Sequence, residues 1–168
     1  MEKRELKRLW EEAEKILPRF GSHSIEHTRR VYLLCLYFGD TLGADLEVLL
    51  PAARLHDISR RQGVESHAEE SARAAERLLV DLGYQEPKIR ETDADKLDAL
   101  GATGVYRAAA YGGEVGQGLG DFIRHFHEKL LELPDLLYTE PARKMALQRR
   151  EFMVGYLEQL DRELKLET

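Results

Sequence analysis

Apolar residues recur along most of this chain at intervals of three and four positions, which is the spacing of an amphipathic helix. The first such segment, residues 3–17, ends before a proline and has its apolar positions at Leu6, Leu9, Trp10, Ala13, Ile16 and Leu17. The same spacing predicts further helices over residues 24–42, 46–57, 66–82, 121–131 and 141–164. Because no stretch alternates apolar and polar residues as a strand would, the pattern predicts an all-α protein of about six or seven helices.

Breaks in the pattern mark where the early helices end. Gly43 is placed to end the second helix, and Asp45 is a good N-cap for the third. Pro51 lies inside the third helix, where it removes one backbone hydrogen bond and should bend the helix. Helix is still preferred there, because the apolar spacing continues on both sides of the proline.

Residues 112–120 are rich in glycine and interrupt the helical pattern. They lack the preceding strand and the following Lys-Ser or Lys-Thr pair of a phosphate-cradling loop. We therefore predict that this stretch is a flexible lid or linker.

Composition bounds the domain organisation and the partners. The 168 residues, 43% hydrophobic and 33% charged, predict one soluble globular domain, with an N-terminal helix over residues 1–18 and a core over residues 20–165. The net charge of −6 argues against nucleic acid as a partner, although pairs such as Arg60-Arg61 could bind an anionic small molecule. Cys35 lies in an apolar run and is expected to pack in the core. No apolar stretch is long enough for a membrane span and the N-terminus is highly charged, so we expect a cytoplasmic protein without a membrane partner.

The strongest chemical signal is the dipeptide His56-Asp57, which follows an apolar segment. Imidazole and carboxylate groups are common ligands of zinc, iron, manganese and cobalt. Neighbouring residues of a helix point about 100° apart, so both side chains can face one ion only where a helix gives way to a turn. We expect such an ending at residues 59–63.

Histidines near the starts of two predicted helices are further candidates. His23 and His27 are four residues apart and could share one helix face. They could bind a metal together, or one could be a ligand and the other an outer contact, or both could be surface residues. His67 opens the helix predicted over residues 66–82 and could belong to a site or to the solvated surface.

Carboxylates are unusually dense between residues 93 and 98, at Asp93, Asp95 and Asp98. Leu97 and Leu100 mark the buried side of this segment. An acid on that side must be paired, protonated or bound to a cation. The alternative is that these acids are solvated charges on an amphipathic helix, with the first of them as its cap.

Taken in order, His27, His56-Asp57 and Asp95 resemble the H…HD…D signature of the HD-domain metal-dependent phosphohydrolases. Residues 26–31, 52–58, 93–102 and 125–131 resemble the small bacterial HD hydrolases, so the resemblance covers roughly residues 20–165. It implies an all-α HD-domain bundle with one divalent metal held by His27, His56, Asp57 and Asp95. A nitrogen and oxygen ligand set without thiolate favours manganese, iron, cobalt or nickel, with magnesium or zinc as alternatives.

The resemblance also implies roles around the metal. Lys96 and Arg60 would face the substrate phosphate and neutralise its growing charge. His23 and His67 would lie in or near the pocket. Asp57 would both ligate the ion and orient or deprotonate the attacking water.

Two stretches, residues 84–93 and 112–121, are short relative to this family. The first would normally hold another helix with a further histidine, whereas here no histidine lies between Gly83 and Asp93. That absence argues against a second metal ion. The protein has either a true deletion or residues missing from this sequence, and we favour the second explanation.

Three functions are compatible with these features. The first is a metal-dependent phosphohydrolase acting on a nucleotide or related phosphate ester, for instance a nucleoside triphosphate that releases pyrophosphate. The second is a cyclic-nucleotide phosphodiesterase, which a two-metal site would favour. The third is a non-catalytic nucleotide or metal sensor, and the complete ligand set argues against it.

Overall fold

The computed structural model describes residues 3–58 and 93–166, with side chains from residue 7 onward. In these two ranges the chain forms seven α-helices and one 3-10 helix, and no strand. The all-α prediction is therefore confirmed. The helix predicted over residues 66–82 lies outside the described residues. None of the described helices combines the length and the apolar character that crossing a membrane requires.

The backbone forms two compact units, residues 1–94 and 95–168. The prediction of one domain over the whole chain stays a prediction. The first unit contains, among its described residues, α1 (Lys3–Ile16), α2 (Ile25–Leu42) and α3 (Leu46–Leu55). Helix α4 (Asp93–Asp98) begins in the first unit and continues into the second. The second unit continues with α5 (Gly101–Val115), α6 (Leu119–Glu128), the 3-10 helix (Leu130–Leu136) and α7 (Glu140–Leu164).

The caps of α2 and α3 follow the sequence signals. Gly43 ends α2 in the left-handed conformation, at φ 64°, where glycine avoids the steric cost of a side chain. The Asp45 carboxylate accepts a hydrogen bond from the Glu47 backbone N–H at 2.9 Å. Pro51 lies within α3, as predicted. The predicted end of this helix at residue 57 is wrong, because α3 ends at Leu55 and residues 56–58 form a turn.

The core of the first unit lies where α2 packs against α3. Its buried residues are Val31, Cys35, Leu50, Ala53 and Ala94. The burial of Cys35 confirms the core role predicted for it. A second cluster joins α1 to the start of α2 through Ala13, Leu17 and Ile25, with Trp10 packed against it. Together these clusters fix the start of α2 and the end of α3, where the candidate metal ligands lie.

The prediction of a flexible loop over residues 112–120 is wrong for most of its length. Helix α5 continues to Val115, α6 begins at Leu119, and only residues 116–118 connect them. Helix α5 packs against α7, and Gly112 is buried in the second unit. A glycine costs a helix only about 1 kcal/mol relative to alanine, so packing of a small-residue face outweighs the propensity.

The helix predicted over residues 121–131 is displaced and shortened. Helix α6 ends at Glu128, and the chain then forms the 3-10 helix, which contains Pro134. The second unit is built around Phe126, Ala146 and Met153, all fully buried. The Arg149 guanidinium donates to the carbonyl of Leu97 and so ties α7 to the end of α4.

Candidate metal centre

The turn after α3 places His56 and Asp57 beside the start of α2. His27 lies in the first turn of α2 and is fully buried, whereas the His56 side chain is 11% exposed and that of Asp57 is 6% exposed. Because the helix ends at Leu55, the adjacent side chains of His56 and Asp57 are free to converge. The turn that lets both side chains face one ion begins at residue 56, earlier than the predicted residues 59–63.

Three donor atoms meet at this point. Nε2 of His27 lies 2.9 Å from Nε2 of His56, and Oδ2 of Asp57 lies 3.3 Å and 3.5 Å from these two atoms. Ligands that each bind one ion at roughly 2.0–2.2 Å stand about 3 Å apart. The donor set therefore fits a single divalent metal ion in both spacing and chemistry.

A hydrogen bond determines which nitrogen of His56 is available. Nδ1 of His56 lies 2.9 Å from the carbonyl oxygen of Ala53. A carbonyl can only accept, so Nδ1 carries the proton and Nε2 presents its lone pair toward His27 and Asp57. Such an outer hydrogen bond fixes the tautomer and the ring orientation of a metal-binding histidine.

His23 contacts the centre from the segment before α2. Its Nδ1 lies 2.6 Å from Oδ2 of Asp57, and its ring packs edge-on against that of His27 with centroids 5.5 Å apart. The distance of 2.6 Å is that of a hydrogen bond and is shorter than the usual spacing of two ligands on one ion. His23, His27 and Asp57 nevertheless form a group whose ligand atoms all lie within 4.8 Å of one another.

The surroundings keep Asp57 ionised. Burial by itself raises the pKa of this carboxyl group, but hydrogen bonds from His23 and His27 and the charge of the histidines outweigh it. The net effect holds the pKa of Asp57 far below its usual range. A permanently ionised carboxylate among imidazoles is suited to binding a cation.

Two predicted site residues belong to the second unit. The Asp95 carboxylate lies 3.7 Å from Nη1 of Arg107. Nζ of Lys96 lies 5.2 Å from the ring centroid of Tyr138, a side chain that is largely exposed. Arg60 and His67 lie outside the described residues, so their predicted roles remain predictions.

Sequence reasoning missed two buried arginines near the motifs. Arg54 lies in the last turn of α3. Its guanidinium carbon is 4.5 Å from the Trp10 ring centroid and 4.4 Å from the Tyr32 ring centroid. Arg107 is buried in α5 and pairs with Asp98. A partner such as Arg107 could have been expected from Asp98, because a buried carboxylate requires one.

Comparison with protein families matches residues 24–102 to the HD domain. A Bacillus subtilis protein, the uncharacterised YpgQ, is 31% identical over 175 residues that cover 86% of this chain and 85% of YpgQ. That alignment is longer than this chain, so YpgQ carries residues that this chain lacks. The expectation that residues 84–93 and 112–121 are short relative to the family stays a prediction, as does the choice between a deletion and missing residues.

Solved structures of similar proteins share the fold. The structure of YpgQ in complex with ADP has a TM-score of 0.78 and 29% identity, covering 94% of this chain and 97% of that one. An HD-superfamily hydrolase from Bacillus thuringiensis has a TM-score of 0.75 and 28% identity, covering 96% and 97%. A predicted HD-superfamily hydrolase from an uncultured Thermotogales bacterium has a TM-score of 0.62 and 28% identity, covering 96% and 92%.

Proposed function

This chain belongs to the HD-domain family of phosphohydrolases, and we propose that it hydrolyses a nucleotide or a closely related phosphate ester. The observation that carries the proposal is the convergence of His27, His56 and Asp57, whose donor atoms lie 2.9–3.5 Å apart. Burying imidazoles around an ionised carboxylate costs free energy unless these groups bind a cation or hydrogen-bond one another. A single divalent ion satisfies all three groups at once.

Four residues would hold this ion: His27, His56, Asp57 and Asp95. The assignment of Asp95 rests on the resemblance, and this residue lies within the segment that matches the HD domain. When bound, a divalent ion would polarise a phosphoryl oxygen and lower the pKa of water. The mixed nitrogen and oxygen set suits manganese, iron, cobalt or nickel better than magnesium or zinc.

The chain's own residues would then orient the reactants. Asp57, held by His23, would accept a hydrogen bond from the attacking water and so orient it. Lys96 would bind a substrate phosphate oxygen, as the resemblance implies. Arg60 and His67 would contribute a second cation and a pocket contact, as the resemblance implies.

The choice of a nucleotide is supported by YpgQ, whose solved structure holds ADP. Such a centre could catalyse either of two reactions of a nucleotide. One is hydrolysis of a nucleoside triphosphate with release of pyrophosphate, which we propose. The other is cleavage of a cyclic phosphodiester, for which the described residues offer no second metal group separate from the first.

The experiment is a substrate panel with product analysis. The purified protein is incubated with nucleoside and deoxynucleoside triphosphates, diphosphates and cyclic nucleotides, each with Mn²⁺, Co²⁺, Ni²⁺ or Mg²⁺. We expect turnover of a triphosphate to a monophosphate and pyrophosphate, abolished by Asp57→Ala and by a chelator. Lys96→Ala should raise KM or lower kcat with little change in Tm. Turnover at the wild-type rate by Asp57→Ala would overturn the mechanism, and cleavage of cyclic nucleotides alone would replace it with the second reaction.

A further inference from the structure

Arg107 joins two carboxylates of helix α4, one of which is the proposed metal ligand. We propose that Arg107, anchored by the buried Asp98, is a positioning residue that orients Asp95 for metal binding. The inference rests on the proposed function, because it takes Asp95 to be a ligand. It adds a residue of α5 to those that the resemblance implies.

The geometry shows one guanidinium shared between two acids. Nη1 of Arg107 lies 3.4 Å from Oδ2 of Asp98 and 3.7 Å from Oδ1 of Asp95. Asp95 and Asp98 are three residues apart on α4, so both side chains lie on one face of the helix. The Asp98 side chain is 1% exposed and that of Asp95 is 23% exposed. The inner acid can therefore anchor the arginine while the outer one remains able to bind an ion.

A close backbone contact brings α5 near enough for this arrangement. A Cβ atom added to Gly104 would lie 2.2 Å from the carbonyl oxygen of Ala99, which no side chain could tolerate. Gly104 and Arg107 are three residues apart in α5 and so share a face. The small residue permits contact with the end of α4, and the arginine one turn later reaches its carboxylates.

The chemistry of the groups favours a role for Arg107 in orienting Asp95 over a role in neutralising charge alone. A buried, ionised Asp98 needs a partner, and the Arg107 charge supplies it. An ammonium group would also supply it, but as a point charge. The planar guanidinium holds Nη1 in one direction when it donates to Asp98, so the same atom stays within ion-pair distance of the Asp95 carboxylate and can restrain it. Outer partners of this kind typically change metal affinity by about 10- to 100-fold when removed.

The test measures Mn²⁺ affinity by calorimetry and folding by Tm and circular dichroism. The main variant is the double substitution Asp98→Asn with Arg107→Met, which removes both buried charges and so avoids leaving one unpaired. We expect it to fold and to bind Mn²⁺ about 10- to 100-fold more weakly. Arg107→Lys alone should fold and show a smaller loss of affinity. Arg124→Met, which removes an arginine from an exposed pair with Asp121, is the matched control and should leave the affinity unchanged.

The outcomes separate this inference from the proposed function. If the double variant loses Tm but binds Mn²⁺ with wild-type affinity, while Asp95→Asn abolishes binding, Arg107 is only structural and the inference is overturned. If Asp95→Asn itself binds Mn²⁺ like wild type, the proposed ligand set fails and this inference fails with it. Weaker binding in both the double variant and Asp95→Asn, with Arg107→Lys between them and wild type, supports it.

Discussion

The side chain of His23 donates from Nδ1 to Oδ2 of Asp57 at 2.6 Å, across 34 residues of sequence. Asp57 is the carboxylate half of the HD motif, and His23 lies before α2, outside the motif itself. The contact restrains the rotation of a carboxylate that also lies 3.3 Å from His27. An outer hydrogen bond thus prepares the proposed ligand before any ion arrives.

Replacing His23 should therefore weaken the site without unfolding the protein. His23→Ala removes one of the histidine contacts that hold Asp57, and we expect Mn²⁺ affinity and kcat/KM to fall about 10- to 100-fold. Tm should change little, because His23 lies before the helix and belongs to neither core cluster of the first unit. His127→Ala, an exposed histidine on α6, is the control. Wild-type affinity in His23→Ala would show that the contact is incidental.

The contacts of Arg54 with the Trp10 and Tyr32 rings should stabilise the fold. Each cation–π contact contributes about 0.5–2 kcal/mol, with the larger values at desolvated positions such as this one. We expect Arg54→Met to lower the free energy of unfolding by about 1–4 kcal/mol, measured by urea denaturation. A double-mutant cycle with Trp10→Leu isolates the pair, and a coupling energy near zero would contradict the interpretation.

Two glycines of α5 should respond to alanine in opposite directions. Gly104→Ala places a methyl group against the Ala99 carbonyl, and we expect a loss of about 1–3 kcal/mol in unfolding free energy. Gly113 has open space around its Cβ position, so Gly113→Ala should stabilise the helix by about 0.5–1 kcal/mol. Chemical denaturation of both variants is the measurement. Equal effects would mean that α5 does not pack as described.

The second unit should become less stable as the pH falls, because His125 takes up a proton. Burial lowers the pKa of this imidazole, Lys129 lowers it further and Glu128 opposes both. The unfolded chain therefore takes up the proton more readily, so stability present at neutral pH is lost as pH falls from about 6.5 through the folded pKa. His125→Gln should flatten the Tm profile between about pH 7 and pH 5. An unchanged profile relative to wild type, with His127→Gln as the matched control, would refute this.

The sequence was sufficient for features that depend on local spacing. The three/four periodicity predicted α1, α2 and α7 nearly to their ends, and the caps at Gly43 and Asp45 were readable because their chemistry is local. The His56-Asp57 dipeptide was recognisable as a candidate metal site. Its two side chains can face one ion only where a helix gives way to a turn, and the sequence indicated such an ending.

Features that depend on packing were not readable. Helix α5 was missed because its glycines predict a loop, whereas Gly112 and Gly104 pack in the folded unit. The pairing of Arg107 with Asp98 spans a turn whose geometry no periodicity encodes. The Arg54 contacts join three helical segments, and the two aromatic partners share no sequence signal with Arg54.

We propose that one divalent ion is held by His27, His56, Asp57 and Asp95. Anomalous diffraction from crystals of the protein grown with Mn²⁺ tests it most directly, because it locates the ion independently of activity. We expect one peak, with ligand atoms of these four residues at roughly 2.0–2.3 Å from it. An ion bound by Asp93 while Asp95 faces solvent, or a peak away from His27 and His56, would contradict it.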